Sequence, residues 1–322
     1  MTPRHVALLG TLAAIWGSSY LLIKYALRGF SPAEIVCVRA AGAALVLWPL
    51  CRLRGGATRA GLSDIRLRPF VALGLGAIAV AAPFLLISFG EREVPSGLTA
   101  ILISPSPIFV ALIAPLVDTS ERIRGQQWIG LVAGLGGVAL LVGVESVSTL
   151  AQFLGAVAIL GASACYAAGS FVVKGAYRGT PPLVTSTFAV SGAAVLTLPF
   201  AAATAEHGAP GAGPIAALIA LAIVHTGLAF IIFYTLISQV GAGRANLVSY
   251  LAPPFALAYG AIFLSEDISA ASIGGLVLIL GGVALASRRR AAPAPEGACT
   301  EDLLVQEAVD GRALGRVVDR QP

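Results

Sequence analysis

Along this chain, long apolar blocks alternate with short polar ones. Ten blocks of 16 residues or more read as spans, against roughly 17 to 25 residues for a helix crossing the hydrocarbon. Their limits are Val6 to Leu27, Ala33 to Leu50, Phe70 to Gly90, Val94 to Val117 and Gly125 to Val144, then Phe153 to Val173, Pro182 to Ala203, Ile215 to Gln239, Ala245 to Ser265 and Ser269 to Ala286. The pattern predicts an all-α integral membrane protein with ten transmembrane helices.

The second five blocks echo the first at an offset of 150 residues. Lys24, Ala26, Arg28, Gly29, Pro32, Gly42, Ala43, Ala44 and Pro49 recur as Lys174, Ala176, Arg178, Gly179, Pro182, Gly192, Ala193, Ala194 and Pro199, and Trp16 is answered by Tyr166. Nine identities in 26 ungapped positions compare with about two or three expected from composition alone. A duplicated half is the reading, with repeats over 1–145 and 150–288.

Composition supports lipid as the solvent. With 57% hydrophobic and 11% charged residues and a mean hydropathy of +0.88, the chain has too little polar surface to coat a water-soluble globule. Cys37, Cys51, Cys165 and Cys299 show no close pairing, so neither a disulfide framework nor a metal site is expected, and no cofactor. The first apolar block resembles a secretory signal but has an equivalent span in the second repeat, so it reads as a retained helix. Residues 291–322 mix Ala, Pro, Gly and charges behind Arg288–Arg290 and are expected to form a disordered cytoplasmic tail.

Charge supplies the orientation. With the N-terminus inside, 14 basic residues fall on inner loops and ends, against Lys24, Arg28 and Arg92 outside. This places the chain in the cell inner (plasma) membrane with both termini cytoplasmic. Five helices per repeat is an odd number, so the second repeat enters from the opposite face, an inverted topology. The net charge of +5 is mostly this signal, and no nucleic-acid partner is expected.

The whole pattern resembles the drug/metabolite transporter superfamily, in its ten-helix branch with two EamA domains. The likeness is carried by Trp16-Gly17-Ser18-Ser19-Tyr20 and Lys24, Pro32 with Arg39, Tyr166 and Lys174, Ala242 to Ala245, Pro253, and the Glu266 to Gly274 joint matched by Glu121 and Gly130. The resemblance implies a secondary transporter, usually an exporter of amino acids, metabolites or drugs, working by alternating access.

Three polar stripes are the substrate-binding candidates. Trp16, Tyr20 and Lys24 lie along one face of the first helix, with Ser19 beside them, and Tyr166, Ser170 and Lys174 form the corresponding face of the sixth. Asn246, Ser249, Tyr250 and Pro253 make a polar face on the ninth. Cavity lining and helix packing are both open for these stripes. Lys24, Lys174, Arg28 and Arg178 read as interfacial cations at helix ends.

Arg39 sits about seven residues inside the second helix, where a charge needs a partner or water. An outer-loop acid such as Glu91 or Glu93 is a candidate, and contact with an anionic substrate group is the other reading. No Asp or Glu is expected inside a span. His225 is expected near mid-span, where it could exchange a proton near neutrality or pack as a neutral, hydrogen-bonded imidazole. The glycines of the fifth and tenth helices allow close helix approach within a monomer or in a homodimer.

The leading expectation is an exporter of small zwitterionic or neutral metabolites such as amino acids, with proton coupling through His225 left open beside a packing role for that residue. A drug or nucleoside-type exporter is the alternative within the superfamily. The chain has no His-Glu-x-x-His pair and no Gly-x-Ser-x-Gly elbow, so it is not expected to be an enzyme. A sensor or scaffold would need a folded output domain, for which the tail is too small.

Overall fold

A computed structural model describes residues 2–54, 58, 69–117, 126–144, 149–176, 180–205, 209–240 and 248–286. Glu121, Arg178, Gly179, Ala242 to Asn246, Arg288–Arg290, Cys299 and the tail 291–322 lie outside these residues, as does the side chain of Lys174. Every element described is a helix: α1 (Pro3–Ala26), α2 (Pro32–Leu53), α3 (Pro69–Gly90), α4 (Ser96–Ile103), α5 (Ser106–Val117), α6 (Gln126–Val144), α7 (Leu150–Ala176), α8 (Pro182–Ala203), α9 (212–240), α10 (Val248–Leu264) and α11 (Ala270–Ala286). Six of them are long and apolar enough to cross a membrane, α1, α2, α3, α7, α8 and α9, and four shorter apolar stretches, one running from α4 into α5, accompany them. Apolar side chains face outward, with Phe70, Leu116, Leu53 and Leu45 between 77% and 85% exposed. Such a surface suits lipid and would aggregate in water.

The helix starts follow from local chemistry. Pro32 opens α2 behind Ser31, whose hydroxyl accepts from Glu34 N at 3.2 Å while Glu34 Oε2 accepts from Ser31 N at 2.7 Å. Glu34 is therefore a cap and not the counter-ion of Arg39. The Ser31 hydroxyl also lies 3.0 Å from that of Thr204, joining the start of α2 to the end of α8.

The fourth apolar block, expected as one span over 94–117, is broken at Ser104 and Pro105 into α4 and α5. Pro107 has no N–H to offer the carbonyl one turn back. Ser163 Oγ of α7 donates to that carbonyl, Ile103 O, at 3.0 Å, so the break is satisfied across the bundle. Two helices carry a π turn, α3 at Ala77–Ala81 and α9 at Ile223–Leu228.

Packing is pairwise and mirrored. α2 runs along α8 and α6 along α11, while α1 lies against α9 and α10 as α7 lies against α3, α4 and α5. Small residues let the backbones approach. A Cβ on Gly282 would stand 2.5 Å from Gly130 O and Gly134 N, and one on Gly137 would stand 2.9 Å from Gly275 O. Packing within one chain thus accounts for Gly134, Gly137 and Gly282, while a Cβ on Gly136 or Gly281 would meet nothing within 4 Å.

Candidate functional site

Polar side chains from four helices converge in an otherwise apolar bundle. Tyr20 of α1, Arg39 of α2 and Tyr166 of α7 lie within electrostatic reach of one another, and Glu91, at the end of α3, reaches Tyr20 and Arg39. Tyr20 and Tyr166 pack on one shared apolar cluster that includes Ile23, Ile87 and Ala162. Both are half-buried. Bundles build ligand sites between helices, and gathered aromatic and charged side chains are candidates for lining one.

Arg39 is 6% exposed. Its Nε donates to Thr226 Oγ1 of α9 at 2.7 Å, and its guanidinium carbon stands 4.1 Å from the centre of the Phe84 ring of α3. The guanidinium is thus held by a hydroxyl and an aromatic face, with no acid in contact among the described residues. Of the outer-loop acids considered from sequence, Glu93 is exposed, whereas Glu91 is buried within reach of Arg39.

The π turn of α9 explains how Thr226 and His225 are presented. Widening the turn by one residue moves carbonyls off the regular ladder, and two of them take side chains five residues on. Thr226 Oγ1 donates to Leu221 O at 2.9 Å, and His225 Nδ1 lies 3.0 Å from Ala220 O. On its other edge His225 Nε2 lies 3.0 Å from Ser18 Oγ of α1, and Ser18 Oγ lies 3.0 Å from Ile15 O. A carbonyl only accepts, so Nδ1 carries a proton. The Ser18 hydroxyl can donate to a neutral Nε2, or turn to Ile15 O and accept from a protonated one. Both charge states of the imidazole are satisfied by rotating a single hydroxyl.

The remaining stripe residues are dispersed. Trp16 is half-buried with its ring 5.1 Å from Phe233 of α9, and Ser19 is buried. Ser170 is exposed, its hydroxyl donating to Ala167 O at 2.6 Å. Ser249 and Tyr250 are half-buried on α10, and Tyr250 packs against the cluster of Leu98, Ile101 and Ile108, apart from the apolar cluster shared by Tyr20 and Tyr166.

Sequence reading missed Glu91 as a site residue. It was expected in an outer loop with Arg92 and Glu93, both of which are exposed, whereas Glu91 is 0% exposed. The end of α3 places it there, because Glu91 N still bonds Ile87 O at 2.8 Å, which continues the helix so that Glu91 follows Phe84, Ile87 and Ser88 on the buried face. Neither carboxylate oxygen has a hydrogen-bond partner among the described residues. Burial pushes the Glu91 carboxyl well above the usual carboxylate range, opposed by Lys24 and reinforced by Glu266. Glu266, between α10 and α11, accepts from Ser96 N at 2.8 Å, Ser96 Oγ at 2.9 Å and Gly97 N at 3.1 Å, capping α4. Among the described residues no cluster of His, Cys, Asp and Glu could hold a metal ion.

Comparison with known proteins places this arrangement. A solved crystal structure superposes with a TM-score of 0.63 over 89% of this chain and 98% of its own, at 18% identity, a likeness of fold. An uncharacterized transporter of Archaeoglobus fulgidus is 25% identical over 282 residues, 88% of this chain and 98% of the relative. A probable terminal-alkyne amino-acid exporter of Streptantibioticus cattleyicolor is 27% identical over 289 residues, 85% of this chain and 90% of the relative. A probable amino-acid metabolite efflux pump of Salmonella typhimurium is 24% identical over 291 residues, 84% and 91% of the two chains. The EamA-like transporter family model matches residues 5–143 and again 153–288, and on that double match the chain belongs to the EamA-like transporter family, within the drug/metabolite transporter superfamily.

Proposed function

We propose that this transporter is a secondary exporter of small zwitterionic or neutral metabolites such as amino acids, working by alternating access and driven by proton exchange. The observation that carries the reading is the polar cluster of Tyr20, buried Arg39 and Tyr166 between α1, α2 and α7. Aromatic walls suit the apolar part of an amino acid, and a buried guanidinium suits its carboxylate. Two similar proteins named for amino-acid export and efflux support the same substrate class.

The frame in this reading is ten spans in two inverted five-helix repeats with both termini cytoplasmic. Support comes from the mirrored pairing of helices, the π turns in α3 and α9, and the 14 basic residues assigned inside. His225 is the candidate for the coupled proton, because Ser18 serves both of its charge states.

The experiment is counterflow in proteoliposomes, with the twenty proteinogenic amino acids offered individually as labelled solutes. Saturable exchange of at least one is expected. Exchange of nucleosides or drugs with no amino acid moving would replace the substrate class with the alternative one. His225→Gln, which keeps hydrogen bonding but cannot titrate, is expected to abolish accumulation driven by an imposed pH difference. Undiminished accumulation in that variant would make His225 a packing residue.

A further inference from the structure

Glu91 is the buried group that the reading so far leaves without a task. Its carboxyl has no accessible surface and no hydrogen-bond partner among the described residues. An ionised carboxylate in that setting would give up its hydration for nothing, which burial does not tolerate. The charged and titratable groups that face it come from every neighbouring element. Lys24 and Tyr20 belong to α1, Arg39 to α2, and Glu266 to the segment between α10 and α11.

Neither cation belongs to Glu91 alone: Lys24 also attracts Glu266 and Glu93, and Arg39 gives its Nε to the Thr226 hydroxyl and its face to Phe84. The Glu266 carboxylate, fastened to the start of α4 by three hydrogen bonds, stands as a second negative charge in the same neighbourhood. A negative neighbour further disfavours ionisation of a buried carboxyl. Glu266 has its donors and Glu91 has none.

We propose that Glu91 holds an exchangeable proton, enclosed while Glu266 is fastened to Ser96 and Gly97, and exchanged with water when that end of the bundle opens. Unfastening Glu266 removes a negative neighbour and admits water, and both changes favour release of the proton from the Glu91 carboxyl; refastening requires its return. The step is one proton taken up by one carboxylate, with no other reactant. Its consequence for transport rests on the reading of the chain as a proton-driven exporter, whereas the proton itself does not.

Infrared difference spectroscopy of the purified full chain tests this. The wild type is expected to show the carbonyl band of a protonated carboxylic acid that disappears only at a pH above the ordinary glutamate range. Glu91→Gln should lack it and Glu91→Asp should keep it at a shifted position, so a poorly inserted glutamine variant does not leave the outcome undecided. In Glu266→Gln the Glu91 band should vanish at lower pH, because a negative neighbour is gone. A titrating band of full amplitude in Glu91→Gln, or an unmoved midpoint in Glu266→Gln, overturns the proposal. In proteoliposomes, stimulation of amino-acid movement by an imposed pH difference should be lost in Glu91→Gln. If no amino acid moves in the wild type, the substrate reading fails and the infrared result still decides the proton site.

Discussion

At position 39 the first repeat carries an arginine, and at the corresponding position 189 the second carries an alanine; both are buried. The contrast recurs in the π turns. That of α9 presents His225 and Thr226, whereas that of α3 is Ala77-Ile78-Ala79-Val80-Ala81. The frames correspond, down to Pro49 and Pro199 inside α2 and α8. The polar contents do not. Duplication supplies two walls of similar shape, and a buried charge is needed only once, since each costs several kcal/mol of desolvation unless partnered.

Removing the charge that belongs to one repeat should have the largest effect. Arg39→Met deletes the donor to Thr226, a charge-assisted bond of about 1.5 to 3 kcal/mol, and the cation over Phe84. If Arg39 also holds the substrate carboxylate, counterflow should fall by about a hundredfold, and Arg39→Lys should recover little, because lysine lacks the fork that serves two partners. Counterflow within twofold of the wild type in Arg39→Met would leave Arg39 as an anchor. Ala189→Arg is expected to misfold, since Ala189 is buried in the apolar cluster of Val36, Ala40 and Phe84.

The seam between the repeats can be tested next. Gly137→Val forces a Cβ against Gly275 O and Leu278, each 2.9 Å away, whereas Gly136, its neighbour, has nothing within 4 Å. Overpacking of this kind costs about 1 to 3 kcal/mol. Thermal unfolding in detergent should therefore occur several degrees lower for Gly137→Val, with Gly136→Val close to the wild type. Equal thermal midpoints would mean that α6 and α11 separate freely.

How much of this was legible in the sequence depends on what each feature does to hydropathy. Apolar blocks and the recurrence of Lys24 to Pro49 at 174 to 199 are properties of composition and order, so the helices and the repeat are visible. The break at Ser104 and Pro105 is not, because serine and proline inside an apolar run barely change its mean, and Ser163 lies 60 residues away from the carbonyl it rescues. A π turn adds one residue to a turn without any polar mark. Glu91 sits in a charged triplet, and what places it inward is the continuation of α3 by its backbone bond to Ile87 O. Arg39, His225, Tyr20 and Tyr166 could be singled out because polar residues are rare in these blocks, while their partners Thr226, Phe84 and Ser18 are common residue types.

Aromatic walls come third. Trp16 and Tyr166 are sequence counterparts, and Trp16 meets Phe233 while Tyr166 meets the cluster shared with Tyr20. Trp16→Ala should lower counterflow about tenfold through loss of the wall, with an aromatic contact of about 0.5 to 1.5 kcal/mol removed as well. Tyr250→Ala should lower it less, since Trp16 stands one turn before Tyr20 on α1 whereas Tyr250 packs against Leu98, Ile101 and Ile108. Unchanged kinetics in both variants would sink the assignment of these stripes, and a larger loss in Tyr250→Ala would move the cavity toward α10.

The smallest effect is expected at Ser18, where the comparison between the π turns becomes a matter of one hydrogen atom. Ser18→Ala leaves Nδ1 of His225 bonded to Ala220 O and removes the group facing Nε2. A neutral imidazole then loses one donor and a protonated one loses its only acceptor on that edge, so the protonated form suffers more. If His225 carries the coupled proton, the pH at which transport is half-maximal should move to lower values by roughly half to one unit, equivalent to about 0.7 to 1.4 kcal/mol, with little change in the maximal rate. Ser18→Thr, which restores a hydroxyl, should return the profile toward that of the wild type. A profile that is identical in Ser18→Ala and the wild type would place proton exchange away from α9, leaving Glu91 of the first repeat as the group that titrates.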